Sequence, residues 1–99
     1  MTYNPQSQIE TVSAKSAAYT PSASNNETIQ VTCSTAIVPI TLPVAVAGRK
    51  YNIKKMDATT YGVTITPTSG TIDGQASLTI SAQYQSFTVI SDGTNYEII

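Results

Sequence analysis

Ninety-nine residues make one domain's worth of chain and too little for two independent cores. Only 11% of them are charged, the net charge is −1, and histidine and tryptophan are absent, while Ser and Thr exceed a quarter of the chain. Five Lys/Arg against six Asp/Glu is not the basic excess of a nucleic-acid binder, and 40% hydrophobic content argues against disorder over the whole length. No apolar run approaches the roughly 20 residues of a membrane span. The opening Met1-Thr2-Tyr3-Asn4-Pro5 has neither the basic nor the apolar region of a secretory signal. The expectation is a small soluble β domain with no membrane and no nucleic acid among its partners.

Residues 1–26 are rich in Ser, Thr, Asn, Gln and Ala and are interrupted by Pro5 and Pro21. Their apolar residues Tyr3, Ile9, Val12 and Tyr19 follow no sustained period. Such a stretch cannot bury enough surface to offset its own ordering entropy. It reads as an extended arm, either flexible or ordered only where Tyr3, Ile9, Val12 and Tyr19 clasp a neighbour. On that reading the arm is dispensable for folding and needed for attachment.

From Glu27 to Ile99 the pattern changes to short alternating runs separated by turn signals, which predicts antiparallel β structure. Residues 28–33 set Ile29, Val31 and Cys33 on one face. Residues 36–42 set Val38, Ile40 and Leu42 together, with Pro39 marking an edge strand or bulge because it cannot donate to a ladder. Residues 50–56 turn Tyr51 and Ile53 inward, and 61–66 do the same with Tyr61, Val63 and Ile65. Pro67-Thr68-Ser69-Gly70 and Asp73-Gly74 are turns, the second with Asp73 bonding local backbone. Residues 77–81 present Leu78 and Ile80, 85–90 present Phe87 and Val89, and Asp92-Gly93 joins them as a hairpin to 95–99, with Tyr96 and Ile98 inward. The prediction is an all-β fold: a small antiparallel β-sandwich or open barrel of about seven strands over 27–99, with the arm at 1–26.

The ordered set Ile40-Thr41-Leu42-Pro43, Gly48-Arg49-Lys50-Tyr51-Asn52-Ile53-Lys54-Lys55-Met56-Asp57, Val63-Thr64-Ile65-Thr66-Pro67, Thr71-Ile72-Asp73-Gly74, Gln83-Tyr84-Gln85-Ser86 and Val89-Ile90-Ser91-Asp92-Gly93-Thr94-Asn95-Tyr96 resembles the small β-domain of virion proteins from tailed bacteriophages. These include head-decoration (cement) proteins, head fibres and distal tail-fibre modules. Ala14-Lys15-Ser16-Ala17-Ala18-Tyr19-Thr20 fits the lead-in of such domains. The chain departs from the pattern at Pro39, where a strand residue is commoner, and at Tyr96, where tryptophan is usual. The resemblance implies a homotrimer on the outer capsid surface of a virion, with itself and the major capsid protein as partners.

Four of the five basic residues, Arg49, Lys50, Lys54 and Lys55, lie within seven positions. They read either as an exposed strand face whose lysines discourage edge pairing or as a positive patch docking on a capsid or a neighbouring subunit. Lone Cys33 cannot form an internal disulfide and reads as a small buried hydrophobe. Without histidine, the abundant hydroxyls lack the usual catalytic base. No phosphate loop, metal-ligand spacing or glycosidase-like carboxylate pair suggests itself, and Asp57, Asp73 and Asp92 fall in separate turns. Neither an enzyme nor a cofactor is expected. Two functions compete: a decoration protein that binds and stabilises the head, and a fibre or spike module that binds a host-surface receptor. The short chain and the lack of tryptophan favour decoration.

Overall fold

The computed structural model describes residues 10–99, and over them the chain alternates between two layers. β1 (Thr11–Lys15), β2 (Glu27–Val31), β4 (Lys50–Lys55), β7 (Ser86–Ser91) and β8 (Tyr96–Ile98) form a five-stranded sheet in that order. β3 (Val38–Leu42), β5 (Val63–Pro67) and β6 (Leu78–Ile80) form a three-stranded sheet. The described residues contain no helix, and the expected all-β class is what the chain adopts. Every strand predicted from position 27 onward is present, its limits shifted by two residues at most.

The sheets are mixed where antiparallel ones were expected. β1–β2, β2–β4 and β3–β5 run parallel, while β4–β7, β5–β6 and β7–β8 run antiparallel. The reason is the route of the chain. It leaves β1, touches the other layer at Tyr19, returns as β2, crosses to β3, returns as β4 and crosses to β5. A strand that re-enters its own sheet after a pass through the opposite layer runs parallel to its predecessor. Only the hairpins after β5 and β7 reverse direction.

This winding stacks inward side chains in register. Ser13, Ile29, Ile53 and Phe87 make one row of the five-stranded sheet, and Thr11, Glu27, Tyr51 and Val89 another. Opposite them lie Val38, Val63 and Ile80, then Ile40, Ile65 and Leu78. Ile29, Ile53, Ile40, Ile65 and Val63 are fully buried, and burying such a side chain contributes about 1.5–3 kcal/mol. Tyr51 and Tyr96 close one end of this core, their rings 6.2 Å apart and tilted by 51°. Tyr96 Oη donates to the Pro43 carbonyl at 2.7 Å. Burial, helped by the neighbouring Tyr51, pushes the Tyr96 phenol up to about 12, so it keeps the proton it donates.

Residues read as an arm take part in both sheets. Thr11–Lys15 pair with Glu27–Val31, and Tyr19 bridges to Ile40 on the outer side of β3. The Tyr19 N–H donates to the Pro39 carbonyl at 3.1 Å, and the Thr41 N–H donates to the Tyr19 carbonyl at 3.0 Å. Pro39, at the sheet edge as expected, costs the β3–β5 ladder nothing: Val38 N–H reaches the Gly62 carbonyl, so position 39 points its missing donor outward.

Turn chemistry shapes the same end of the domain as Tyr96. Asp73 and Gly74, at φ 48° and 78°, form the tight turn between Ile72 and Gln75. Asp73 Oδ1 accepts from the distant Ile98 N–H at 3.2 Å, where a local bond was expected. Gly70 has φ 75°, and a Cβ there would lie 2.5 Å from the Thr94 carbonyl oxygen.

Truncating the stacked row should therefore cost far more than truncating the sheet's margin. Ile53→Ala should lose about 3 kcal/mol in urea unfolding. Val12→Ala, at a side chain 62% exposed, should stay within about 0.5 kcal/mol of the parent chain.

Candidate functional site

The five-stranded sheet turns one face to the core and the other outward. Register places Val12, Thr28, Asn52 and Thr88 in one outward row, and Ala14, Gln30, Lys54 and Ser86 in the next. Lys50 lies on the same face, opposite Ile90. The surface is mainly polar and carries Lys50 and Lys54 as cations and Glu97, opposite Ile90, as a carboxylate. At its centre Asn52 Oδ1 is buried yet has no hydrogen-bond partner among the described residues. A buried acceptor left unmatched costs about 1–3 kcal/mol.

The four clustered cations expected to act together are divided by the fold. Lys50 is exposed. Lys54 is half-buried, with its Nζ 5.5 Å from the centre of the Tyr84 ring. Arg49 is tied to the chain: its Nε donates to the Ala23 carbonyl at 2.9 Å and its Nη1 to Asn26 Oδ1 at 3.1 Å. Together with the 2.8 Å bond from Tyr51 Oη to the Ser22 carbonyl, this fastens the crossover between β1 and β2 onto β4.

Lys55 departs from the expected role of a docking cation, because it is fully buried. It shares the inward phase of Tyr51 and Ile53. Its Nζ donates to Asp57 Oδ2 at 2.6 Å and to the Asp57 carbonyl at 2.9 Å. Asp57 also accepts from the Cys33 N–H at 2.7 Å and the Thr59 N–H at 3.0 Å. The Thr59 hydroxyl lies between that carboxylate and the Cys33 carbonyl. Desolvation opposes the charge on Asp57, but Lys55, Thr59 and the two backbone donors outweigh it and hold the carboxyl well below the usual range. Cys33 is buried as expected, and desolvation raises its thiol. The cluster joins the β2–β3 and β4–β5 loops; it is a structural lock.

Of the expected arm contacts, Val12 is exposed on the outward face of β1. Tyr19 is turned inward beneath β1, where its Oη donates to Glu27 Oε2 at 2.6 Å. That bond, with burial, raises the Tyr19 phenol. Lys15 Nζ lies 4.2 Å from the Tyr19 ring centre. Tyr3 and Ile9 lie outside the described residues.

Sequence reasoning missed two features. A lysine in apolar phase at Lys55, with Asp57 two residues on, was the available sign of a buried pair. The strand at Thr11–Lys15 left no such sign, because its inward residues are Thr11, Ser13 and Lys15. The structure also displays Tyr84, exposed and held at φ 66°, and Tyr61, partly exposed in the β4–β5 loop. No protein-family model matches the chain, and no curated protein matches it.

Asp57→Asn removes the charge that pairs with a buried ammonium, a change that costs about 3–5 kcal/mol. Because the folded carboxyl titrates below an unfolded value of about 3.9, its contribution is complete above that pH and is lost as pH falls through the folded value. Urea unfolding should show a large gap between parent and Asp57→Asn chains at pH 7. The gap should narrow steadily below about pH 4.

Proposed function

We propose that this protein is a bacteriophage capsid decoration (cement) protein, binding the outer surface of the head as a homotrimer and stabilising the shell. One observation carries the reading beyond the resemblance of its segments. Among the described residues nothing covers the outward face of the five-stranded sheet, where the Val12–Thr28–Asn52–Thr88 and Ala14–Gln30–Lys54–Ser86 rows lie side by side. A broad, mainly polar sheet face of this kind suits contact with a folded protein surface through hydrogen bonds and shape. Lys50, Lys54 and Glu97 on the same face would set its charge complementarity with the shell.

The mechanism is linkage. A protein that binds only the assembled shell stabilises that state by mass action, and many modest contacts sum over a particle. The receptor-binding reading would draw instead on Tyr61 and Tyr84, the exposed tyrosines beside the β4–β5 and β6–β7 turns.

Two measurements test the proposal. Particles carrying the protein should hold hundreds of copies (the number decoration of a whole shell requires), and particles lacking it should release their genome at a lower temperature while adsorbing normally. Equal release temperatures with lost adsorption would replace decoration by receptor binding. On the face itself, Asn52→Thr should leave thermal stability unchanged or higher and weaken binding to bare shells. Lys50→Glu with Lys54→Glu should weaken binding more at low salt than at high salt.

A further inference from the structure

We propose that β1 is the docking edge for a second copy of this chain, joined antiparallel across a two-fold axis at Ser13 to give one continuous ten-stranded sheet. The inference concerns the chain itself and does not depend on the decoration reading.

A two-layer sheet protein has four edges, and natural proteins blunt theirs to prevent strand addition. Three are blunted here. The outer side of β8 is covered by Thr71–Asp73: the Tyr96 N–H donates to the Thr71 carbonyl at 2.9 Å, and the Asp73 N–H donates to the Tyr96 carbonyl at 3.0 Å. The outer side of β3 carries Pro39 and is bonded to Tyr19. β6 is only three residues long.

β1 is different. The Thr32 N–H donates to the Lys15 carbonyl at 2.9 Å, so the parallel ladder directs the backbone groups of Lys15, Ser13 and Thr11 toward β2. The N–H and C=O of Val12 and Ala14 then point away from the sheet, with no partner among the described residues. The nearest charge that could guard this edge, Lys15, is folded inward onto Tyr19. Winding leaves β1 at the edge of the described sheet, as the first strand of the coil.

The complementary occupant is another β1. Across a two-fold at Ser13, Val12 of one copy faces Ala14 of the other, and the two exchange both hydrogen bonds. The symmetric pair does the same. Four outward groups on each copy are satisfied by four on its mate. Antiparallel pairing also keeps the exposed Glu10 residues of the two copies at opposite ends of the joint. Parallel pairing would set Glu10 beside Glu10 and Lys15 beside Lys15. Small side chains at Val12, Ser13 and Ala14 let the backbones approach without a clash.

Sedimentation equilibrium of the full chain and of a Val12→Lys, Ala14→Lys double variant tests the pairing. The two lysines would oppose each other across the axis, and both native side chains are exposed, so the domain itself should melt unchanged. At matched high concentration the parent's largest species should have twice the mass of the variant's, whatever the base unit. Ala14→Pro, which deletes one outward donor at a sheet edge, should halve the mass in the same way if the lysines disturb folding. In the parent, the amides of Val12 and Ala14 should exchange slowly only at concentrations where the larger species forms. Equal masses for parent and variants would overturn the proposal. Equal masses with lost shell binding would assign the edge to a strand of the shell protein instead. Failure of shell binding in the parent would leave the mass result untouched and count only against decoration.

Discussion

The structure depends on keeping inward rows in register while the chain changes layer at four of its seven connections. Ser13, Ile29, Ile53 and Phe87 must align although they come from four strands separated by passes through the other sheet. With one cysteine and no disulfide, packing, backbone hydrogen bonds and a few side-chain ties hold that alignment. A slip of one residue in β2 or β4 would move Ile29 or Ile53 to the outer face and bring Thr28 or Asn52 into the core. The burial of Ile29, Ile53 and their neighbours thus sets the register, and the register sets which groups face outward.

The two ends of the wound core are secured by different chemistry. At one, Lys55, Asp57 and Thr59 tie the β2–β3 and β4–β5 loops through a buried ion pair whose donors are satisfied by the same loop. At the other, Gly70 allows Thr94 and Asn95 to approach closely, and Asn95 Oδ1 accepts from the Thr71 N–H at 2.9 Å. Among the described residues, what is left unsecured is the outward face around Asn52 and the outer side of β1. Both are small-residue, polar and weakly charged, which suits recognition by backbone and shape. They lie side by side, so Val12 and Ala14 border the Thr28–Asn52–Thr88 row.

Much of the fold was legible because its strands alternate strictly. In Thr28 to Cys33 and Tyr51 to Ile53 the apolar phase names the buried face directly, and Pro39 and Asp92-Gly93 announce an edge and a hairpin. Strand direction was not legible. Parallel and antiparallel partners place the same apolar residues inward, so the pattern carries no record of which layer the chain visits between two strands. β1 escaped because its burial is indirect: Tyr19, Lys15 and Glu27 fill the space beneath it, and its apolar residue Val12 faces solvent. Lys55 was misplaced because a cluster of basic residues on one strand invites reading as one patch. Strand phase divides that cluster, sending Lys50 and Lys54 out and Lys55 in.

The wound, parallel arrangement of β1, β2 and β4 is the claim from which the open edge and the outward face both follow. Scalar couplings across hydrogen bonds, measured by NMR on the isotopically labelled chain, report it without interpretation of shape. The account predicts couplings from the Thr32 amide nitrogen to the Lys15 carbonyl carbon and from the Met56 amide nitrogen to the Val31 carbonyl carbon. Couplings that join β2 to β4 in antiparallel order, with Glu27 near Lys55 and Val31 near Tyr51, would contradict it.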